Sequence, residues 1–114
     1  MIDIERIVAK YLMDKTGFKT FVEVPKERPD EFITVELTGT GGNRFARGCF
    51  FAVQSWAQTR KDAETLSELV EDAIYDLDEH PNIFNPMATG TYRFPDPDSN
   101  QSRYQTNLEL MLCE

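Results

Sequence analysis

The stretch that decides the fold is RGCFFAVQSWAQ, residues 47–58, which runs through Thr59 into RKDAETLSELVEDAIYDL, residues 60–77. The first run is rich in aromatic and β-branched residues and predicts a strand. Apolar residues in the second run recur at the spacing of one helical face and predict an amphipathic helix. This strand-to-helix unit is typical of core packing and assembly, and it contains no set of reactive side chains.

The predicted helix begins at Arg60 and ends near Asp78, since Thr59 followed by Asp62 resembles a capping box. Its apolar stripe is predicted to contain Ala63, Leu66, Leu69, Val70, Ala73, Ile74 and Leu77. The opposite face places five acidic residues around Tyr75, namely Glu64, Glu68, Glu71, Asp78 and Glu79. Like charges four residues apart on a helix repel, and no lysine after Lys61 offsets them. This face is a solvated surface, a contact for basic residues of a neighbour, or the lining of a surface that must not adhere to DNA. Examples of such basic residues are Arg28, Arg44, Arg47 and Arg93.

The predicted strand differs from its neighbours because both of its faces are apolar. One face is predicted to contain Cys49, Phe51, Val53 and Ala57, and the other Phe50, Ala52 and Trp56. Two helices cover one face of a small sheet, so the second face needs another layer. That layer is either the chain's own loops or a second subunit.

The rest of the chain predicts one further helix and four further strands. Asp3 caps a helix that runs to Lys15 and stops at Gly17, and residues 18–24 form a short strand near a sheet edge. Residues 32–38 alternate as a strand, and the glycine-rich segment Thr38–Phe45 is predicted to be a mobile loop carrying Arg44.

The last two strands follow the acidic helix. A loop at residues 79–86 leads to a strand at 89–94, and a turn-rich linker precedes a last strand at 103–112. The order is α-β-β-β-α-β-β, which favours an α+β fold with a mainly antiparallel sheet of about five strands and two helices on one face.

Length and composition limit the classes of function that the chain can have. A chain of 114 residues has the size of one domain, taken here as residues 1–114, and a net charge of −8 with a pI near 4.6 argues against specific nucleic-acid binding. No export signal or membrane span is predicted, and the two cysteines, Cys49 and Cys113, are predicted to be reduced thiols.

No catalytic, cofactor-binding or metal-binding residues are predicted, and the protein is not expected to be an enzyme. The only histidine, His80, lies at a helix end before a proline, where it is predicted to interact with the last carbonyls. The glycine stretch TGTGG, residues 38–42, lacks phosphate-loop spacing and joins two strands.

Three segments together resemble the tail terminator, or tail completion, proteins of long-tailed bacteriophages: VQSWAQT, the helix RKDAETLSELVEDAI, and the closing PDPDSNQSRYQTNLELML. The similarity spans most of the chain. The matching positions are Val53, Trp56, Ala57, Thr59, Ala63, Leu66, Val70, Ala73, Arg103, Tyr104 and Gln105.

The resemblance implies a phage or prophage structural protein that caps the tail tube as a homohexameric ring, ends tube polymerisation and forms the head-tail joining surface. Its partners would be its own copies, the tail tube protein and the head-tail connector protein, in the host cytoplasm during assembly and in the virion tail afterwards. Two sets of candidate residues follow when this resemblance is combined with the second apolar face of the strand and the acidic face of the helix. The interface set is Phe50, Trp56, Arg44, Arg47 and Tyr75, and the acidic lumen or partner set is Glu64, Glu68 and Glu71.

Two alternatives stay open. The degenerate motifs equally suit another phage neck or minor tail component, and a small dimeric ligand-binding regulatory module would have a similar element order. A ring in solution or with tube protein favours the terminator, whereas a strict dimer that binds a metabolite favours the module.

Overall fold

Capping residues set the bounds of both helices in the computed structural model, which describes residues 2–114. Helix α1 spans Ile4–Thr16; the Asp3 carboxylate accepts a hydrogen bond from the Arg6 amide at 3.2 Å, and Gly17 ends the helix at φ 79°. Helix α2 spans Arg60–Ile74, and the Thr59 hydroxyl accepts from the Asp62 amide at 3.1 Å. The predicted caps at both N-termini and at Gly17 are confirmed.

Five strands form one sheet in the order β1-β2-β3-β5-β4, with both helices on one face. The strands are β1 (Thr20–Phe21), β2 (Phe32–Gly42), β3 (Ala46–Ala57), β4 (Ile83–Arg93) and β5 (Ser102–Cys113). Only β1 and β2 pair in parallel; the other neighbours are antiparallel. The predicted α+β class and element order are confirmed, and the short first strand lies at the sheet edge.

The prediction that the glycine-rich segment Thr38–Phe45 is a mobile loop is wrong. Residues 39–42 are not a mobile loop but the continuation of β2, where they pair with β3 up to Arg47. The connection is a tight turn at Asn43–Phe45, and Gly42 precedes it at φ 90°. A Cβ at Gly42 would lie 2.5 Å from the Ala46 carbonyl oxygen, so only glycine fits here.

Two other boundaries also differ from the sequence pattern. Helix α2 ends at Ile74 instead of near Asp78, and a short 3₁₀ helix at Leu77–Glu79 follows it. Strand β4 begins at Ile83, within the predicted loop, because bulges between Phe84 and Met87 and between Ala88 and Gly90 let an irregular segment pair with β5.

The core lies between the helices and the inner face of the sheet. From β3 and β5 it takes Cys49, Phe51, Val53, Leu108, Leu110 and Leu112. Helix α2 and the 3₁₀ helix supply the predicted apolar stripe with one exception. Leu69 is 42% exposed, so the prediction that it belongs to the core is wrong. It lines a groove between α1 and α2.

One buried hydroxyl lacks a partner. Ser55 on β3 is fully buried, and its Oγ makes no hydrogen bond. Because an unsatisfied buried polar atom costs free energy, Ser55→Ala is expected to raise the free energy of unfolding by about 1 kcal/mol. Urea denaturation measures this change, with Ser67→Ala as the control. The Ser67 hydroxyl donates to the Glu64 carbonyl at 2.6 Å, so its removal should not stabilise the protein.

Candidate functional site

The sheet face away from the helices, here called the open face, begins with an exposed apolar end. Phe50 on β3 and Phe84 and Met87 on β4 are 42%, 47% and 44% exposed, and Met111 lies between them on β5. A shallow groove of about 210 Å³ runs between Phe50, Met87 and Met111. Two glycines widen the apolar end, because neither Gly39 nor Gly48 adds a side chain next to the Phe50 ring.

A polar ladder crosses the middle of the open face. The Gln54 side-chain amide donates to the Gln105 side-chain oxygen at 3.0 Å, and the Gln105 amide donates to the Tyr92 hydroxyl at 2.8 Å. Thr34 donates to the Gln54 side-chain oxygen at 3.4 Å and accepts from the Trp56 indole at 3.1 Å. These side chains satisfy one another, so the ladder separates the apolar end from Trp56.

Side chains from one loop and from the neighbouring strands β2 and β5 cover Trp56. Its ring stacks on Phe32 with centroids 5.2 Å apart, and the guanidinium carbons of Arg28 and Arg103 lie 5.1 and 4.9 Å from its ring centroid. Only 1% of Trp56 is exposed. The prediction that Trp56 offers a face to a partner is therefore wrong, whereas Phe50 on the same strand face stays open.

Asp96 holds this cover in place. Its carboxylate accepts hydrogen bonds from the Ser99 hydroxyl at 2.7 Å, the Asp98 amide at 3.1 Å and the Arg28 guanidinium at 3.2 Å. The Ser99 hydroxyl bond is the largest cause that holds the pKa of Asp96 below its usual range, and Asp98 and Arg28 add to it. Asp96 thus ties the loop before β5 to the loop before β2.

The acidic face of α2 is divided between exposed and engaged carboxylates. Glu64 and Glu71 are half-buried and accept hydrogen bonds from the sheet, from Tyr104 at 3.4 Å and from Thr91 respectively. Glu68 is exposed, and Tyr75 is 54% exposed. Glu64, Glu68 and Glu71 therefore do not form one free acidic surface as predicted, because two of them bond to the sheet.

Glu79 lies away from that face, on the side of α1. It accepts hydrogen bonds from the Tyr11 hydroxyl at 2.5 Å and the Lys15 ammonium at 2.9 Å. Burial and the neighbouring Glu79 raise the pKa of Tyr11 to about 12. Hydrogen bonds from Tyr11 and Lys15 lower the pKa of Glu79, so this cluster joins α1 to the 3₁₀ helix that follows α2 and is structural.

The basic candidates also differ in their surroundings. Arg47 pairs with Glu114 at 3.3 Å, and Arg28 pairs with Asp96, so both cations are engaged within the chain. The guanidinium of Arg44 lies over the Phe45 ring at 5.1 Å, and no carboxylate among residues 2–114 pairs with it. Arg93 on β4 is exposed.

The histidine and the two cysteines show no arrangement typical of a reactive site. The His80 ring does not bond to helix carbonyls as predicted; its Nδ1 accepts from the Asn82 amide at 3.1 Å, and its backbone amide caps the 3₁₀ helix. Cys49 and Cys113 are free thiols, and burial raises the pKa of Cys49. Within residues 2–114 no three His, Cys, Asp or Glu residues are grouped to hold a metal ion, and no helix there has the length and apolarity to cross a membrane.

The sequence did not predict that Phe84 and Met87 lie on the open face. Their strand was predicted to begin at Thr89, since Asn85 and Pro86 read as loop residues. The bulge at this point, with Asn85 at φ 50°, places both side chains on the open face. A bulge breaks the period of two, so the pattern contained no signal for them.

The fold and this surface define an α+β protein with an exposed apolar end on its sheet and unpaired charges elsewhere. Searches against models of known protein families and against curated proteins both found no match to this chain.

Proposed function

We propose that this protein is a structural subunit of a phage tail, one that caps the tail tube as a ring, ends its polymerisation and forms the head-tail joining surface. The proposal starts from the resemblance of residues 53–74 and 95–112 to tail terminator proteins. The α+β fold with two helices on one sheet face agrees with the subunit that the resemblance implies.

The observation that carries an assembly role is the apolar end of the open face. Three large apolar side chains there are each more than 40% exposed, on β3 and β4, and Met111 of β5 lies between these two strands. Contiguous exposed apolar surface on a small protein marks an interaction site, because leaving it in water costs free energy. In the assembled tail this end would be buried against another protein subunit.

The negative charge of the chain agrees with a ring through which DNA passes. A net charge of −8 repels the phosphate backbone, so DNA would pass through such a ring without adhering. The half-buried Glu64 and Glu71 contribute less to that field than the exposed carboxylates of α2, among them Glu68 and Asp72. The acidic lumen is therefore proposed to consist mainly of exposed residues.

The test combines the chain with tail tube protein. Light scattering after gel filtration and negative-stain imaging should find six-fold rings, free or on tube ends, and the added chain should shorten the tubes. Phe50→Lys/Met87→Lys is expected to abolish this capping, because two ammonium groups cannot be buried against an apolar partner.

Val24→Lys is the matched control, since Val24 is 41% exposed but lies outside the open face. It should cap tubes as wild type does. Far-ultraviolet circular dichroism checks that both variants are folded. Unchanged tube lengths with the wild-type chain, or a strict dimer that binds a metabolite tightly, would refute the proposed function.

A further inference from the structure

The turn between β2 and β3 presents one aromatic and one cationic side chain. In this hairpin tip, Asn43–Phe45, the Asn43 side-chain oxygen accepts from the amides of Phe45 at 2.9 Å and Ala46 at 3.1 Å. These bonds fix the turn. Phe45 is 67% exposed, more than any other large apolar side chain among residues 2–114, and the unpaired Arg44 lies beside it.

A groove of matching size and opposite charge lies between α1 and α2. It has a volume of about 150 Å³ and is lined by Lys15, Thr16, Leu69, Asp72, Ala73 and Asp76. A cavity of about this volume is large enough for a benzene ring. Leu69 and Ala73 form its apolar part, and Leu69 is the residue of the predicted core stripe that is 42% exposed.

The charge at the rim of this groove is negative and unmatched. Lys15 pairs with Glu79 at 2.9 Å, so its ammonium is already engaged. Neither Asp72 nor Asp76 has an ion-pair partner within residues 2–114. A cation brought to the rim would therefore meet two free carboxylates.

We infer that the hairpin tip of one copy docks into the α1/α2 groove of a second copy. Phe45 packs on Leu69, and Arg44 pairs with Asp72 and Asp76. This contact rests on the proposed ring and specifies the surfaces that form it. Charge complementarity favours this groove over the groove of the open face, where Glu109 is the only lining residue with a charge.

The contact is head-to-tail. The start of α1 lies near Thr40 and Arg47, next to the hairpin, whereas the groove lies near its other end, at Lys15 and Thr16. A helix of 13 residues separates them by about 20 Å. A contact between two different surfaces repeats from copy to copy and closes into a ring when the rotation permits.

The contact can be tested with two variants, each of which lacks one of its two surfaces. The tip variant is Arg44→Glu/Phe45→Ser, and the groove variant is Leu69→Lys/Asp72→Lys. Analytical ultracentrifugation should find each variant monomeric, and an equal mixture should form a species of two 13.1-kDa chains and no larger one. The wild-type chain should form larger species that dissociate as salt is raised, because the Arg44 pair is screened.

The control chains are Arg93→Glu and Asp98→Lys, which reverse one charge as Arg44→Glu and Asp72→Lys do, at exposed positions outside the tip and the groove. Both should associate as wild type does. A mixture that stays monomeric overturns the contact, as does a wild-type chain that is monomeric up to about 1 mM, where very weak contacts form. A wild-type association that stops at two copies overturns it too and indicates a symmetric dimer.

Tube capping separates this inference from the proposed function. If the tip variant caps tubes as wild type does, the contact is overturned while the tail function stands. If the mixture forms its two-chain species but wild type leaves tube lengths unchanged, the contact stands and the tail function falls.

Discussion

Trp56→Ala is expected to lower the free energy of unfolding by about 3–5 kcal/mol, the range for a large aromatic side chain removed from a core. The indole is 1% exposed between Phe32, Arg28 and Arg103, and its N–H donates to Thr34 at 3.1 Å. Its loss leaves a cavity and an unsupported stacking partner in Phe32. Urea denaturation followed by circular dichroism measures the effect, since the variant lacks the chain's only tryptophan.

Phe50→Ala is the matched control for this substitution. Phe50 lies on the same face of β3, but it is 42% exposed, so its removal should change the free energy of unfolding by about 1 kcal/mol or less. Equal losses from the two substitutions would show that the open face is covered along its whole length. That result would also remove the apolar end as a candidate interface.

Asp96→Ala is expected to lower the free energy of unfolding by about 1–3 kcal/mol. The Asp96 side chain is only 8% exposed, and the substitution removes a carboxylate that accepts three hydrogen bonds. Arg28 then loses its anchor over Trp56. The emission of the single tryptophan should shift to longer wavelength, and acrylamide should quench it more strongly. Asp98→Ala, at an exposed carboxylate in the same loop, should leave both stability and emission unchanged.

The difference in stability between wild type and Asp96→Ala should depend on pH. Hydrogen bonds, that from Ser99 first, lower the pKa of Asp96 in the folded chain. Its contribution to stability is therefore complete above the unfolded pKa of about 3.9 and is lost as pH falls through the lower folded pKa.

Urea titrations of both proteins at pH 6 and at about pH 3 measure this difference. Glu79 titrates in both proteins, so its contribution cancels when the two are compared. We expect the gap between wild type and variant to narrow at the lower pH. A gap that stays constant would mean that Asp96 acts without its charge.

Local patterns predicted the elements that depend on neighbouring residues. Asp3, Gly17 and Thr59 cap their helices as expected because a cap involves bonds within one turn of the helix. The alternation of β5 and the inner face of β3 were also predicted correctly, since a period of two follows from strand geometry alone.

The candidate site was harder to predict because exposure depends on distant segments. Trp56 and Phe50 have the same position in the strand pattern, yet only Trp56 is covered, because Arg28 from the loop at residues 25–31 lies over its ring and this loop is bonded to residues 94–101. Similarly, Glu71 and Glu68 look alike on a helical wheel, but only Glu71 reaches a strand of the sheet.

The sequence by itself determined the α+β class, the element order, the helix caps and the inner face of the strand at residues 47–57. These follow from periodicity and capping, which act over a few residues. Only the tertiary structure decided that Leu69 lines a groove, that Trp56 is covered, and that Phe84 and Met87 join Phe50 at the apolar end. Each depends on loop placement, helix packing or a bulge between residues far apart in the chain, and local patterns do not encode these contacts.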